Sequence, residues 1–396
     1  MWFLILWVTS ALAAPLSADG AVERALGRSV DVAEAEAALE AARGRARAAS
    51  FLRYDPQISG SWAAVGDSHG LSLTQPLSVT GEGLAARRSA RAEVEAAEAR
   101  LQRSRLETAA DVRRAWVAAV TARQQRVLSA EAVELAARLR QGAERRLAVG
   151  EASLLDTRLA RLEESEALAT WMAALAEEGE HISTFAALVD LPVGEIALPD
   201  DPLQGVPPLA DHEALARSDV LAARREVDAA RAAVARERAA VLPPVGFGAF
   251  YEQEGDELRV GPSVSLTLPL WRRNADGRAA ARAEFHATRA RLDLLERLAT
   301  AEQDASRNVV ERMSAAAERM DVDVLAEARA ALESIALGYD AGELDLLTAA
   351  LLRSEVLRSQ QEWLHGRRIL AEARIGLLLA NDDRALLGDA VRREDG

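Results

Sequence analysis

At 396 residues the chain exceeds one ordinary globular core, and 49% hydrophobic residues with only 4% aromatics make alanine its main apolar residue, which suits long, closely packed helices. With no cysteine, it excludes a disulfide framework, a thiolate metal site, a thiol nucleophile and a lipidated N-terminal Cys. Its formal net charge of −14, with arginine as the basic residue, excludes a general nucleic-acid binder.

In chain order, Trp2 to Val8 is an apolar run followed by Ala11-Leu12-Ala13, which predicts a signal peptide over 1–13, with a buried N-terminal strand as the alternative. No other run approaches the ~20 apolar residues of a membrane helix, so membrane contact would need strands or a surface helix. Ala21 to Arg53 reads as one helix, from Val22, Leu26, Val30, Ala33 and Ala37, with Asp19 as its N-cap. Tyr54-Asp55-Pro56 breaks it. A hairpin follows at about 57–75: Ile58, Gly60 and Trp62 alternate with Ser59 and Ser61, Gly66-Asp67-Ser68 turns, and Leu71 and Leu73 alternate with Ser72 and Thr74. The strand ends at Gln75-Pro76-Leu77, and Gly81 and Gly83 make a short turn. From Leu84 to about Arg146 nothing breaks the helical pattern, a length of roughly 90 Å. A tip at about 147–153 turns at Gly150, and Leu154 to Val189 returns as a helix. Leu191 to Leu209, with five prolines, is a connector.

The same order then repeats. Asp211 to Val241 is helical and Pro243-Pro244 stops it. A second hairpin at about 245–268 alternates Val245, Phe247, Ala249 and Tyr251 on its first strand and Val260, Pro262, Val264, Leu266 and Leu268 on its second. A long helix from Gly277 to about Leu337 leads to a tip at about 339–345, turning at Gly342. Leu344 to Ala380 returns, and 381–396 is a short charged tail. The halves keep register: Pro269 follows Pro76 by 269 − 76 = 193, and Gly342 follows Gly150 by 342 − 150 = 192. Two repeats, 14–210 and 211–380, are therefore expected. Strands with Ser, Thr and Gly on one face and apolar residues on the other fit a transmembrane barrel around water. Four strands cannot close one, because small barrels start near eight, so several chains must contribute. A soluble hairpin packed on a helix end is the alternative.

These features together resemble the TolC family of outer-membrane efflux channels over nearly the whole chain. The resemblance implies a mostly α fold with transmembrane β: a homotrimer with a twelve-stranded β-barrel in outer-membrane lipid, continued by a long periplasmic α-helical barrel. It implies a passive exit duct in a tripartite system, partnered by a periplasmic adaptor (membrane fusion) protein and an inner-membrane RND-type pump. Leu268-Pro269-Leu270-Trp271-Arg272-Arg273-Asn274-Ala275-Asp276-Gly277 looks like a segment of the CzcC-like branch, which serves heavy-metal cation exporters. Its first-half counterpart, Gln75 to Gly83, is looser. Pro76, Gly83, Pro269, Trp271, Arg273, Asn274 and Gly277 thus mark strand-to-helix junctions, where proline ends ladder pairing and glycine permits the bend. Drug or protein export, and a periplasmic helical scaffold without a channel, are the other readings.

No enzyme motif is present, and the five histidines are scattered, so neither catalysis nor a cofactor is expected. Glu163-Glu164 and Glu177-Glu178 read as solvated helix faces rather than ion sites. By the resemblance, Tyr339 and Asp156 correspond to a Tyr and an Asp that hydrogen-bond between tip helices and hold the periplasmic entrance closed. An acidic ring expected beyond the second glycine falls instead on Thr348 and Leu351. Glu343 and Asp345 could supply charge nearby, or serve as ordinary helix N-terminal acids.

Overall fold

The computed structural model describes residues 16–49, 54–62, 68–78, 80–209, 217–241, 244–266, 274–319 and 324–388. The proposed signal peptide, Pro269, Trp271 and Arg273, and the tail beyond 388 lie outside them. The first half is α1 (Ala18–Leu26), α2 (Val30–Ala48), β1 (Gln57–Trp62), β2 (Ser68–Leu77), α3 (Glu82–Ala148) and α4 (Leu154–Val189). The second is α5 (Ser218–Ala239), β3 (Val245–Glu254), β4 (Glu257–Leu266), α6 (Ala275–Ala317), α7 (Val324–Ala341) and α8 (Leu346–Ala380).

Two expected single helices are each divided. The first breaks at Gly27-Arg28-Ser29, where the Arg28 and Ser29 N–H groups turn back to the Ala25 carbonyl and the Ser29 hydroxyl meets Thr108 of α3 at 3.2 Å. The N-cap of α1 is Ser17, accepting from the Gly20 N–H at 3.0 Å, because Asp19 is taken by Arg113. The second break follows Ala317. The Arg319 N–H donates to the Ala316 carbonyl, an i→i−3 bond that tightens the last turn.

The four strands form one antiparallel sheet in the order β1-β2-β3-β4. Its register sorts the side chains. Ile58 pairs with Leu73, Leu73 with Ala249, Phe247 with Val264 and Tyr251 with Val260, so these share one face. Ser59 pairs with Ser72, Thr74 with Gly248 and Gly248 with Ser263, which share the other. The apolar face is bare: Ile58 is 73% exposed and Val264 70%. β2 continues through Pro76, opposite Gly246, so proline does not end the ladder there. β1 starts at Gln57 opposite Thr74, so Pro76 lies past its end and pairs toward β3 alone. Pro262 sits in β4, an edge strand, where a missing N–H is tolerated.

The chain forms two compact units that interleave the repeats: Met1–Val30, Arg105–Leu215 and Glu302–Gly396 in one, Asp31–Ser104 and Ala216–Ala301 in the other. The first unit has a core of Leu106, Val117, Val120, Phe185, Ile375 and Leu378, with Trp116 edge-on to Phe185 at 5.4 Å. Alanine fills most of the remaining buried helix positions, which lets backbones approach closely. Arg113, 2% exposed, donates to the carbonyls of Leu386 (2.9 Å) and Gly205 (2.5 Å) and to Asp19 (2.5 Å). One buried guanidinium thus ties α1, the connector and the C-terminal turn to α3. The second unit holds the sheet and a small helix core of Leu39, Ala42 and Ala97.

Among the described residues, no helix is long and apolar enough to cross a membrane, and no group of three His, Asp or Glu is placed to hold a metal ion.

Candidate functional site

The two tips are built alike. Gly150 (φ +82) and Gly342 (φ +81) occupy the left-handed region that glycine enters without strain. Around each, the chain makes the same pair of bonds. The Gly150 N–H donates to the Leu147 carbonyl and the Glu151 N–H to that of Arg146; the Gly342 N–H donates to Tyr339 and the Glu343 N–H to Gly338. The five-residue bond in each pair closes a helix C-terminus in the Schellman manner.

The next helix starts differ. Ser153 and Asp156 form a reciprocal capping box: Ser153 Oγ accepts from the Asp156 N–H at 3.1 Å, and the Asp156 carboxylate accepts from the Ser153 N–H and hydroxyl at 2.8 Å. In the second tip Asp345 caps α8, accepting from the Thr348 N–H at 2.7 Å. Thr348, side chain and backbone together, holds the Asp345 carboxyl below the usual carboxylate range. Glu343 is exposed. Leu351 is 61% exposed and Leu347, one turn before it, 65%, so the place of the acidic ring is an apolar strip.

Tyr339, 2% exposed, sits at the end of α7 against α3. Its ring lies so close to Gly142 that a β-carbon there would come within 2.6 Å of it. The Arg146 guanidinium stacks over the ring, 4.8 Å from its centroid. Burial pushes the phenol pKa up; Arg146 opposes that, and the Asp156 carboxylate adds to it through space. The structure therefore brings Tyr339 and Asp156 into one neighbourhood, with Arg146 as the phenol's partner and Ser153 as the carboxylate's. Sequence reasoning missed Arg146 and Gly142. A glycine unbroken inside a long helical pattern was the available signal, because it marks close packing.

Ion pairs surround this site. Arg140 meets Glu144 (2.8 Å) and Glu164 (2.7 Å), Arg161 meets Glu144 (2.9 Å), and Arg353 meets Glu163 (2.5 Å). Glu178 pairs with Arg126 at 2.6 Å. Glu163, Glu164 and Glu178 are thus cross-helix partners, not freely solvated charges. Arg161 first, then Arg140, holds the Glu144 carboxyl below its usual range.

At the junctions, the turn glycine of the first half is Gly81 (φ +78); Gly83 is buried inside α3. In the second half Asn274 takes the left-handed conformation (φ +49), which asparagine tolerates. Its amide donates to the Glu237 carbonyl (3.0 Å) and carboxylate (2.8 Å) at the end of α5. Gly277 is required beside it, since a β-carbon would lie 2.4 Å from Asn274 Oδ1.

Residues 21–177 match the model of a family described as outer membrane efflux protein. No curated protein matches the sequence. Among solved structures, the chain is similar to the outer membrane protein VceC of Vibrio cholerae, at 20% identity and a TM-score of 0.74 over 92% of this chain and 96% of that one. It is similar to CusC, in structures concerned with transmembrane channel formation, at 16% identity and 0.73, over 96% and 95%. It is also similar to the outer membrane channel MtrE of Neisseria gonorrhoeae in its open state, at 18% identity and 0.70, over 93% and 89%. At such identities the likeness shows the fold: mostly helical, with a small antiparallel sheet.

Proposed function

We propose that this chain, whose residues 21–177 match the outer membrane efflux protein family, is the exit duct of a tripartite efflux system. Three copies each add one four-stranded sheet to a twelve-stranded barrel, and repeats 14–210 and 211–380 each supply one hairpin and one tip. The observation that carries this is the sheet. One of its faces is mainly apolar and bare, the other carries mainly Ser, Thr and Gly with Phe250, Glu252 and Arg259 among them, and β1 and β4 are its edges among the described residues. Bare edges and a bare apolar face are stable together only when edges pair and the face meets lipid. The chain is a conduit rather than a catalyst. Energy comes from an inner-membrane RND-type pump, and a periplasmic adaptor holds the helical end. The Leu268–Gly277 segment supports heavy-metal cations as the cargo.

The tips form the periplasmic gate, with Tyr339 as its latch. Arg146 holds the phenol, Asp156 fixes the facing helix start, and Glu343, Asp345, Thr348 and Leu351 line its rim. A hydrogen bond to a charged group contributes about 1.5–3 kcal/mol, and three copies bias a closed state that an adaptor binding the open form can overcome. The test is single-channel conductance in planar bilayers. Tyr339→Phe keeps the ring but loses the oxygen that Arg146 engages, and Arg146→Gln loses the charge. Both should raise conductance, and the double change should add little to either. Unchanged conductance in both single variants refutes the latch, and a stable monomer in detergent refutes the barrel.

A further inference from the structure

Beside the sheet, the second unit carries a basic groove in a chain of net charge −14. It lies between the end of α2 and the start of α3, with a volume of about 730 Å³, lined by Arg43, Arg47, Arg87, Arg91, Val94 and Glu95. Two of these charges are already satisfied: Arg43 pairs with Glu40 (2.9 Å) and Glu98 (3.2 Å), and Glu95 turns to Arg225 at 3.0 Å. The other three are not. Arg87 donates only through Nε, to the Ala49 carbonyl at 3.2 Å, and Arg47 and Arg91 have no hydrogen bond or carboxylate partner among the described residues. All three are exposed.

Their position is equally specific. Arg87 and Arg91 stand five and nine residues after Glu82, the first residue of α3, so roughly 8 and 14 Å along the helix from its start. The trio also recurs. Arg238, Arg278 and Arg282 follow Arg47, Arg87 and Arg91 at one common offset: 238 − 47, 278 − 87 and 282 − 91 all equal 191. Arg238 closes α5, and Arg278 and Arg282 open α6, so both copies flank a strand-to-helix junction.

We propose that the Arg47, Arg87 and Arg91 groove binds the phosphate of an anionic phospholipid headgroup in the leaflet that meets the strand-to-helix junction. This rests on the membrane-spanning role proposed above for the sheet. Unpaired guanidinium forks match phosphate oxygens bidentately, and the arginine stems can lie along apolar surface while their heads reach the headgroups. The bare apolar face of the same sheet brings acyl chains alongside. A free phosphate would meet the same forks, but only a lipid uses both features.

The test titrates the full-length protein, purified in detergent, with dioleoyl phosphatidylglycerol and counts bound copies by native mass spectrometry. The wild type should retain the lipid and prefer it to phosphatidylcholine. Each arginine near an anionic surface is worth about fivefold in affinity, so Arg47→Gln, Arg87→Gln and Arg91→Gln together should weaken retention on the order of a hundredfold. Arg91→Gln alone should weaken it about fivefold and serves if the triple variant misfolds. A charge-matched triple change at the exposed Arg138, Arg307 and Arg312 should leave retention intact. Equal loss in both triple variants, equal retention of phosphatidylcholine, or displacement of the lipid by an equal concentration of inorganic phosphate overturns the proposal. Conductance of the wild type in phosphatidylcholine bilayers tests the channel separately: its absence would sink the channel while lipid retention still stood.

Discussion

Two residues near the middle of β4 test which face of the sheet meets lipid. Val260 pairs with Tyr251 on the apolar face and is 68% exposed; Ser263 pairs with Gly248 on the polar face. Both are within three residues of the centre of a ten-residue strand, where a charged side chain on the lipid side costs about 2–4 kcal/mol. Val260→Arg places one such charge per protomer, so the assembled trimer carries roughly 6–12 kcal/mol of penalty. Ser263→Arg places its charge over Gly248, which has no side chain to obstruct it, in the water of the lumen. Heat-modifiable trimer recovered from outer membranes should fall sharply for Val260→Arg and stay near wild type for Ser263→Arg. Planar bilayers should then show Ser263→Arg shifting the pore toward anions. Equal insertion defects would show that the sheet has no lipid-facing side, and a defect confined to Ser263→Arg would show that the faces are reversed.

Arg113→Met should cost about 3–5 kcal/mol, because it strands two buried carbonyls and Asp19, and a thermal midpoint close to wild type would show that the guanidinium does not hold α1, the connector and the C-terminal turn together. Gly342→Ala forces a left-handed residue to carry a β-carbon, a cost of about 1–2 kcal/mol, and puts that carbon 2.8 Å from Arg146 Nη2. It should raise conductance as Tyr339→Phe does, while Gly150→Ala, strained but facing open space, should not; identical effects would remove Arg146 from the latch. The Asp345 carboxyl is held below its ordinary value, so its capping contribution is present above about pH 4 and lost as pH falls through the folded-state value. The protection factor of the Thr348 amide, its exchange rate taken relative to the intrinsic rate at each pH, should therefore fall on acidification, and Asp345→Asn, which still caps, should flatten that dependence; an unchanged protection profile in Asp345→Asn would assign it to another group.

Much of this was legible because it rests on local signals. Alternation of period two placed Ile58, Val264 and Ser263 on their faces, and an unbroken run of helix formers defined α3 and α4 to within two residues. What escaped were decisions made by distant partners. Asp19 is a sound N-cap candidate in isolation, yet Arg113, 94 residues away, takes it and leaves the cap to Ser17. Joining of the two hairpins through β2 and β3 is likewise long-range: Leu71 meets Tyr251 across a gap no spacing rule spans. The ring-stacked Arg146 was invisible for the same reason, since one arginine among many on α3 carries no mark of the tyrosine it will meet.

The duplication supplies a reference that a single repeat lacks. Positions kept in both halves serve what both halves share. Gly150 and Gly342 both reverse a helix, and the trios at Arg47, Arg87, Arg91 and at Arg238, Arg278, Arg282 both flank a junction. Positions that diverge have been released from that common duty. At offset 192, Leu147 answers Tyr339, Gly338 answers Arg146, and Asp156 answers Thr348. The turn hydrogen bonds survive every one of these changes, because they use backbone atoms alone. The side chains are therefore free to differ, and they differ where Arg146 reaches Tyr339. A latch needs two unlike surfaces, a donor on one tip and an acceptor on the other, which identical tips could not provide. The same comparison predicts that exchanging the two members, Arg146→Gly with Gly338→Arg and Leu147→Tyr with Tyr339→Leu, should preserve both turns. It should restore a latch only if the phenol and guanidinium still meet, so conductance of the swapped variant separates the chemistry of the pair from its position in the chain.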